Sequence, residues 1–263
     1  MPRDAPANGR RVTAPRPVLV PVGTGTAYAR PGEAQSAYLV RCGPRPVLLD
    51  LGSGALNRLQ RHVAPEDLAA VVITHLHPDH CVDLMALRVY MVWGPGAGRA
   101  LRVLGPPGLR DRLAAFSGSE GWESAFRFED LTGPGGERDL GGGVRLRYTA
   151  VPHLDPTYAL RVEWGGGSVC FGADCAPGPE LPELARGCDV LLCEASFGAG
   201  AVPEGVAHLS ARDAGEIARR AGAGRLLLTH CFPQNDRDAA LAAAREAFGG
   251  PIDWARQDEA VPA

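Results

Sequence analysis

Strand-like and helix-like segments alternate through both halves of this 263-residue chain, which predicts an α/β protein of two sheets covered by helices in one domain. Three observations carry that expectation. Short apolar runs rich in β-branched residues are bounded by glycine and proline turns. Amphipathic helical stretches recur between them. Neither a low-complexity linker nor a short-period repeat divides the chain.

Taken in order, residues 1–16 are rich in Pro, Arg and small residues and are expected to form a loose arm, leaving 17–263 as the domain. Residues 18–22 read as a first strand, ending in the turn Gly23-Thr24-Gly25-Thr26. Strands follow at 37–41 and 47–51, then a helix at 56–62. Residues 69–74 form a short β-branched run of the kind buried on both faces. Pro78 stands where a helix can begin, and the apolar pattern of 81–93 continues it. A further strand and helix fall at 101–104 and 109–116. Residues 118–143 are glycine-rich and read as an irregular loop, near a site or at an oligomer contact.

Beyond it two strands alternate cleanly. Val144, Leu146 and Tyr148 oppose Arg145 and Arg147, and Leu160, Val162 and Trp164 oppose Arg161 and Glu163. The last third repeats strand then helix at 168–172, 190–193, 210–221, 225–229 and 236–248, with Ser210 and Asp213 spaced as a capping box.

Composition narrows the function classes. A content of 45% hydrophobic and 22% charged residues fits an ordinary globular protein. The net charge of −3 offers no general attraction to nucleic acid or anionic lipid, although every one of the 27 basic residues is Arg. Seven scattered Cys without a C-x-x-C pair argue for a reducing compartment and against a disulfide framework. The start Met-Pro-Arg-Asp lacks the apolar stretch of a signal peptide, and no apolar run reaches membrane-spanning length, so a cytoplasmic location is expected.

The chemistry concentrates in His75-Leu76-His77-Pro78-Asp79-His80. In an extended segment leaving a strand, residues i and i+2 point the same way, so His75 and His77 can grip one cation. Once the chain turns at Pro78, Asp79 and His80 open a helix and can address a second. Imidazole with carboxylate suits zinc, with manganese or iron as alternatives. His153 and His230 each follow a strand, where a rigid scaffold presents side chains to a site. Asp174 also stands just past a strand, and its two oxygens could bridge two cations.

His75-x-His77-x-Asp79-His80 followed by His153, Asp174 and His230 resembles the pattern of the metallo-β-lactamase superfamily, and the resemblance covers residues 18 to about 233. It implies a four-layer αβ/βα sandwich of two mixed sheets flanked by helices, with the site at the sheet edges. It also implies two divalent metal ions. His75, His77 and His153 would bind the first, Asp79, His80 and His230 the second, and Asp174 would bridge them. His77 stands where di-iron flavoproteins of this fold usually carry Glu, and Asp79 with Asp174 points away from true β-lactamases.

A finer resemblance, to ribonuclease Z and its phosphodiesterase relatives, lies in Cys193-Glu194-Ala195-Ser196-Phe197, His208-Leu209-Ser210 and Leu228-Thr229-His230. Asp50-Leu51-Gly52-Ser53-Gly54, with Leu56-Asn57-Arg58-Leu59-Gln60 behind it, adds to it. There the residue at the His208 position protonates the leaving oxygen and the one at Glu194 orients it. Asp79, His208 and Glu194 are therefore the catalytic candidates. A phosphodiester needs a nucleophile, charge neutralisation and a proton for the departing alkoxide, which metal-activated hydroxide and such a pair would supply.

No long basic insertion serves as an arm for transfer RNA, so extended nucleic acid is not the expected partner. Gly23-Thr24-Gly25 and Ser36-Ala37-Tyr38-Leu39 look like those of small phosphodiesterase-type members, and a small phosphodiester such as a cyclic nucleotide is the expected substrate. Thioester or lactone hydrolysis, tRNA 3′-processing without the arm and a non-catalytic metal-binding scaffold are the alternatives. A homodimer is implied by the resemblance alone. Phe197, Phe232 and Tyr158 are candidates to line the pocket. Cys81, Cys175 and Cys231 are expected to pack, and His62 to be structural.

Overall fold

The computed structural model describes residues 15–154 and 156–263. Residues 1–14 of the expected arm lie outside them. Of its last two residues, Arg16 is tied down by an ion pair with Asp189 at 3.1 Å.

Among the described residues the strands form two seven-stranded mixed sheets. In the first, β1 (Val18–Gly23), β2 (Ala37–Arg41) and β3 (Val47–Leu49) run antiparallel. Then β4 (Ala70–Val72), β5 (Leu101–Gly105) and β6 (Phe126–Asp130) continue from β3 in parallel. The second sheet repeats that plan. Its antiparallel part is β7 (Gly135–Gly141), β8 (Val144–Ala150), β9 (Tyr158–Trp164) and β10 (Gly167–Phe171), and its parallel part adds β11 (Val190–Glu194), β12 (Arg225–Thr229) and β13 (Ile252–Trp254). The terminal strand β14 (Val261–Pro262) returns to pair with β1.

Three apolar clusters fix the layering. Leu19, Tyr38, Leu49 and Val72 of the first sheet meet Leu146, Leu160, Phe171 and Leu192 of the second, so the sheets pack face to face. The outer face of the first sheet is covered by α1 (Ala55–Leu59), α3 (Leu84–Trp93) and α4 (Leu109–Ser117) through Leu59, Leu87 and Leu113. The outer face of the second is covered by α5 (Glu180–Leu184), α6 (Ala211–Ala221) and α7 (Arg237–Phe248) through Leu181, Ile217 and Ala244. The four-layer sandwich expected above is thus the observed one. β4 is buried along its whole length because strands flank both its edges and apolar layers cover both its faces.

Two expectations are corrected. Residues 118–143 are not an irregular loop: β6 extends the first sheet beside β5 and β7 extends the second beside β8. Glycine carries no side-chain periodicity, and an edge strand needs only one neighbour, so charged and glycine-rich sequence suffices. The helix expected over 81–93 is also broken, into α2 (Pro78–Cys81) and α3. The break falls at Asp83, whose Oδ2 accepts the Leu56 backbone N–H at 2.9 Å while its own N–H donates to the Leu51 carbonyl at 3.1 Å. Those bonds pull the start of α3 onto the loop after β3. The capping box forms as expected, Ser210 and Asp213 each satisfying the other's backbone.

Candidate metal centre

The site lies where the parallel strands of both sheets end. His75 to His80 follow β4, His153 follows β8, Asp174 follows β10, Glu194 closes β11 and His230 follows β12. Ligand sites in α/β sheets favour this edge because loops there can turn side chains inward from rigid strands. The turns are sharp. Asp50, Ala173 and His230 hold φ of 58°, 57° and 48°, a left-handed conformation that costs a non-glycine residue about 1–3 kcal/mol. Such strain is tolerated here because it redirects the chain straight from strand to site. Gly52 allows a close approach: a Cβ there would sit 2.0 Å from the Asp79 carbonyl oxygen.

Every residue expected in the metal site is brought into one cluster. His75, His77, His153 and Asp174 offer ligand atoms within 4.8 Å of one another, and so do Asp79, His80 and His230. In the first group, His77 Nδ1 is 3.0 Å from His75 Nε2 and 3.2 Å from His153 Nε2. In the second, Asp79 Oδ2 is 3.2 Å from His230 Nε2 and 3.6 Å from His80 Nε2. Asp174 Oδ2 reaches both, at 4.0 Å from His75, 3.4 Å from His80 and 3.6 Å from His230. Tetrahedral zinc, with bonds near 2 Å, separates its ligand atoms by about 3.3 Å, so this spacing fits a cation between them.

The polar inventory gives the same answer. His80 Nε2 and Asp174 Oδ1 are buried without a hydrogen-bond partner among the described residues, which is costly unless something else pairs with them. Burial, with His80 alongside, holds His75 well below the usual imidazole range, and burial with His153 lowers His77, so both favour the neutral, ligating form. Burial opposes charge on Asp79 and Asp174, but His230 and His80 outweigh it and keep both carboxylates ionised. His80 and His230 are raised against their own burial, chiefly by Asp174, and a bound cation would displace their protons.

Behind these residues stands a set that sequence reasoning did not assign. Asp50 is fully buried, with Oδ2 2.7 Å from His80 Nδ1, and it also accepts Thr74 N–H at 2.8 Å and the Thr74 hydroxyl at 2.9 Å. It therefore sets the ring and tautomer of His80. Ser196 sits 3.1 Å from His230 Nδ1 and donates to Glu194. His153 Nδ1 donates to the Ala207 carbonyl at 2.8 Å. The Asp50 segment was visible in the sequence, but its pairing with a residue 30 positions away was not.

His208 lies beside this cluster, its ring 4.9 Å from His153 and 6.2 Å from His230. Its Nδ1 is 2.9 and 3.1 Å from the two oxygens of Glu194, a fully buried carboxylate that also accepts the Cys175 N–H at 2.8 Å. Burial opposes charge on His208, but the Glu194 hydrogen bond outweighs it and raises its pKa. Phe197 and Phe232 ring this residue at 6.3 and 6.4 Å. Tyr158 does not line the site: it packs on Tyr148 between the sheets, its hydroxyl donating to the Gly133 carbonyl. Cys81, Cys175 and Cys231 are buried, and burial pushes each thiol up, Cys81 to about 12, as inert packing residues. His62 pairs with Asp258 at 2.7 Å, away from the centre.

Comparison with known proteins agrees with this geometry. Residues 42–231 match the family model described as the beta-lactamase superfamily domain. An uncharacterized protein of Mycobacterium tuberculosis is 34% identical over 238 residues, covering 88% of this chain and 86% of its own. A ribonuclease Z of Mycobacterium marinum is 32% identical over 265 residues, covering 88% and 93%.

Among solved structures, the metallo-β-lactamase fold protein YhfI of Bacillus subtilis superposes with a TM-score of 0.84 at 24% identity, over 94% of this chain and all of that one. A diphosphatase of the PhnP family gives 0.73 at 19% identity, over 94% and 98%. No helix among the described residues is long and apolar enough to cross a membrane. With its two sheets, its strand-end His and Asp cluster and these relatives, the chain belongs to the metallo-β-lactamase superfamily of metal-dependent hydrolases.

Proposed function

We propose that this protein hydrolyses a small phosphodiester, a cyclic nucleotide above all, with His208 as the general acid. The observation that carries the reading is the buried Glu194 carboxylate on His208 Nδ1, beside seven residues able to hold two divalent cations, zinc first and manganese or iron as alternatives. In this reading His75, His77 and His153 would hold one cation and Asp79, His80 and His230 the other, with Asp174 available to both. Bound there, the cations supply charge neutralisation and an activated water.

The chain's own groups do the rest. Glu194 accepts the hydrogen bond from His208 Nδ1–H, which fixes the ring and leaves Nε2–H to deliver its proton to the departing oxygen. The raised pKa favours the protonated ring that has such a proton to give. Asp79, kept ionised, orients the attacking water. A thioester, whose thiolate departs without protonation, has no need of an added acid of this kind.

The names of the ribonuclease Z relatives point to RNA, but the stretch that could have formed a transfer-RNA arm, 118–143, is built into the sheets as β6 and β7. The net charge of −3 also withholds the basic surface that RNA backbones need. Seven free, buried cysteines support a reducing, cytoplasmic setting.

The test is metal analysis together with turnover of 2′,3′- and 3′,5′-cyclic nucleotides beside thioesters and lactones. His208→Ala should keep its full metal content and lose turnover of poor-leaving-group diesters by roughly 10²–10⁴-fold. Unchanged turnover in that variant, or hydrolysis confined to thioesters and lactones, would sink the reading.

A further inference from the structure

We infer that Tyr28, backed by Phe232, is a stacking platform for a planar aromatic ring of the substrate, a nucleobase in the phosphodiester reading on which this inference rests. Tyr28 lies in the loop between β1 and β2 and is 52% exposed. Its ring is nearly parallel to that of Phe232, with centroids 5.6 Å apart and planes 15° apart. One face is therefore covered and fixed while the other is open. Phe232 comes two residues after His230 and lies 6.4 Å from His208, and Phe197 meets it edge-on at 5.6 Å. The platform is thus two ring contacts from the proposed acid, through Phe232.

The loop that carries Tyr28 is held in place before any ligand arrives. The Tyr28 carbonyl accepts the Thr26 hydroxyl at 2.8 Å, and Gln35 donates to the Ala27 carbonyl at 2.9 Å. Arg30 donates to the Pro233 carbonyl at 3.1 Å, and Glu33 is bound by Arg237 at 2.9 Å. The Tyr28 hydroxyl donates to Gln234 Oε1. With that oxygen engaged, the Gln234 amide has N–H donors to offer a base edge. An exposed aromatic ring immobilised in this way loses little entropy on binding a flat partner. Its open face suits π-stacking, whereas an acyl chain calls for a concave aliphatic pocket.

The experiment compares adenosine 5′-monophosphate with ribose 5-phosphate by isothermal titration calorimetry on the metal-loaded protein, in parallel with cyclic AMP turnover. Wild type should bind the nucleotide more tightly by roughly tenfold or more, the scale of one base–aromatic stack. Tyr28→Ala and Tyr28→Leu should erase that preference while leaving ribose 5-phosphate affinity unchanged, and Tyr28→Phe should retain it. Equal weakening of both ligands, or no change in the preference, overturns the platform.

The two readings fail separately. A nucleotide preference lost in Tyr28→Ala without any turnover of cyclic AMP upholds the platform and defeats the phosphodiesterase. Turnover with the same KM in wild type and Tyr28→Ala, and no Tyr28-dependent preference, does the reverse.

Discussion

In the group formed by His75, His77, His153 and Asp174, His77 and His153 are only half-buried, His153 leans on the neutral Ala207 carbonyl, and His75 reaches an acid, Asp50, only through the Thr74 hydroxyl. In the group formed by Asp79, His80 and His230 every member is buried and acid stands behind the rings, Asp50 directly on His80 and Glu194 through Ser196 on His230. Carboxylate backing fixes ring orientation and raises ligand basicity. The second group is accordingly expected to hold its cation more tightly, and the first to face the substrate.

The largest effect should come from the residue the groups share. Asp174→Ala removes the oxygen that approaches His75, His80 and His230 alike, so both cations should be lost on metal analysis and turnover abolished. Retention of both cations would break the reading of a joint site. Asp50→Asn should act chiefly on the second group, which Asp50 touches directly, weakening its cation by about 10–100-fold in a chelator titration and disturbing the first, reached only through Thr74, much less. Equal loss at both would erase the distinction drawn above.

The smallest effect is expected of Gly52→Ala. The new Cβ would press on the Asp79 carbonyl and shift α2, which carries Asp79 and His80, at a cost of about 1–3 kcal/mol in a denaturant melt. A change within about 0.5 kcal/mol would mean that α2 adjusts freely and the second group is less rigid than its burial implies.

The cluster was legible because most of its residues announce themselves locally. Three His and an Asp fall within six positions, and His153, Asp174 and His230 each sit just past a strand-like run. What stayed hidden were partners made by folding. Asp50 is an unremarkable acid in a glycine-rich segment until the end of β3 is laid beside α2. Ser196 gains its meaning only when β11 and β12 bring Glu194 and His230 onto one edge. The same limit explains β6 and β7, whose sequence holds too few apolar positions for a period to show. It also explains the break at Asp83, which is set by bonds to Leu51 and Leu56 rather than by helix propensity. The helix α5, behind prolines at 177 and 179, left no readable pattern either.

Each ligand group draws on both sheets: His75, His77, Asp79 and His80 follow a strand of the first, and His153, Asp174 and His230 follow strands of the second. A cation held in either group would therefore cross-link the two halves of the sandwich, which are otherwise joined mainly by apolar packing. Because such a cation binds the folded chain and not the unfolded one, its binding energy adds to folding stability by mass action. The free cation concentration around this protein would then govern how much of it is folded, as well as how fast each folded copy works.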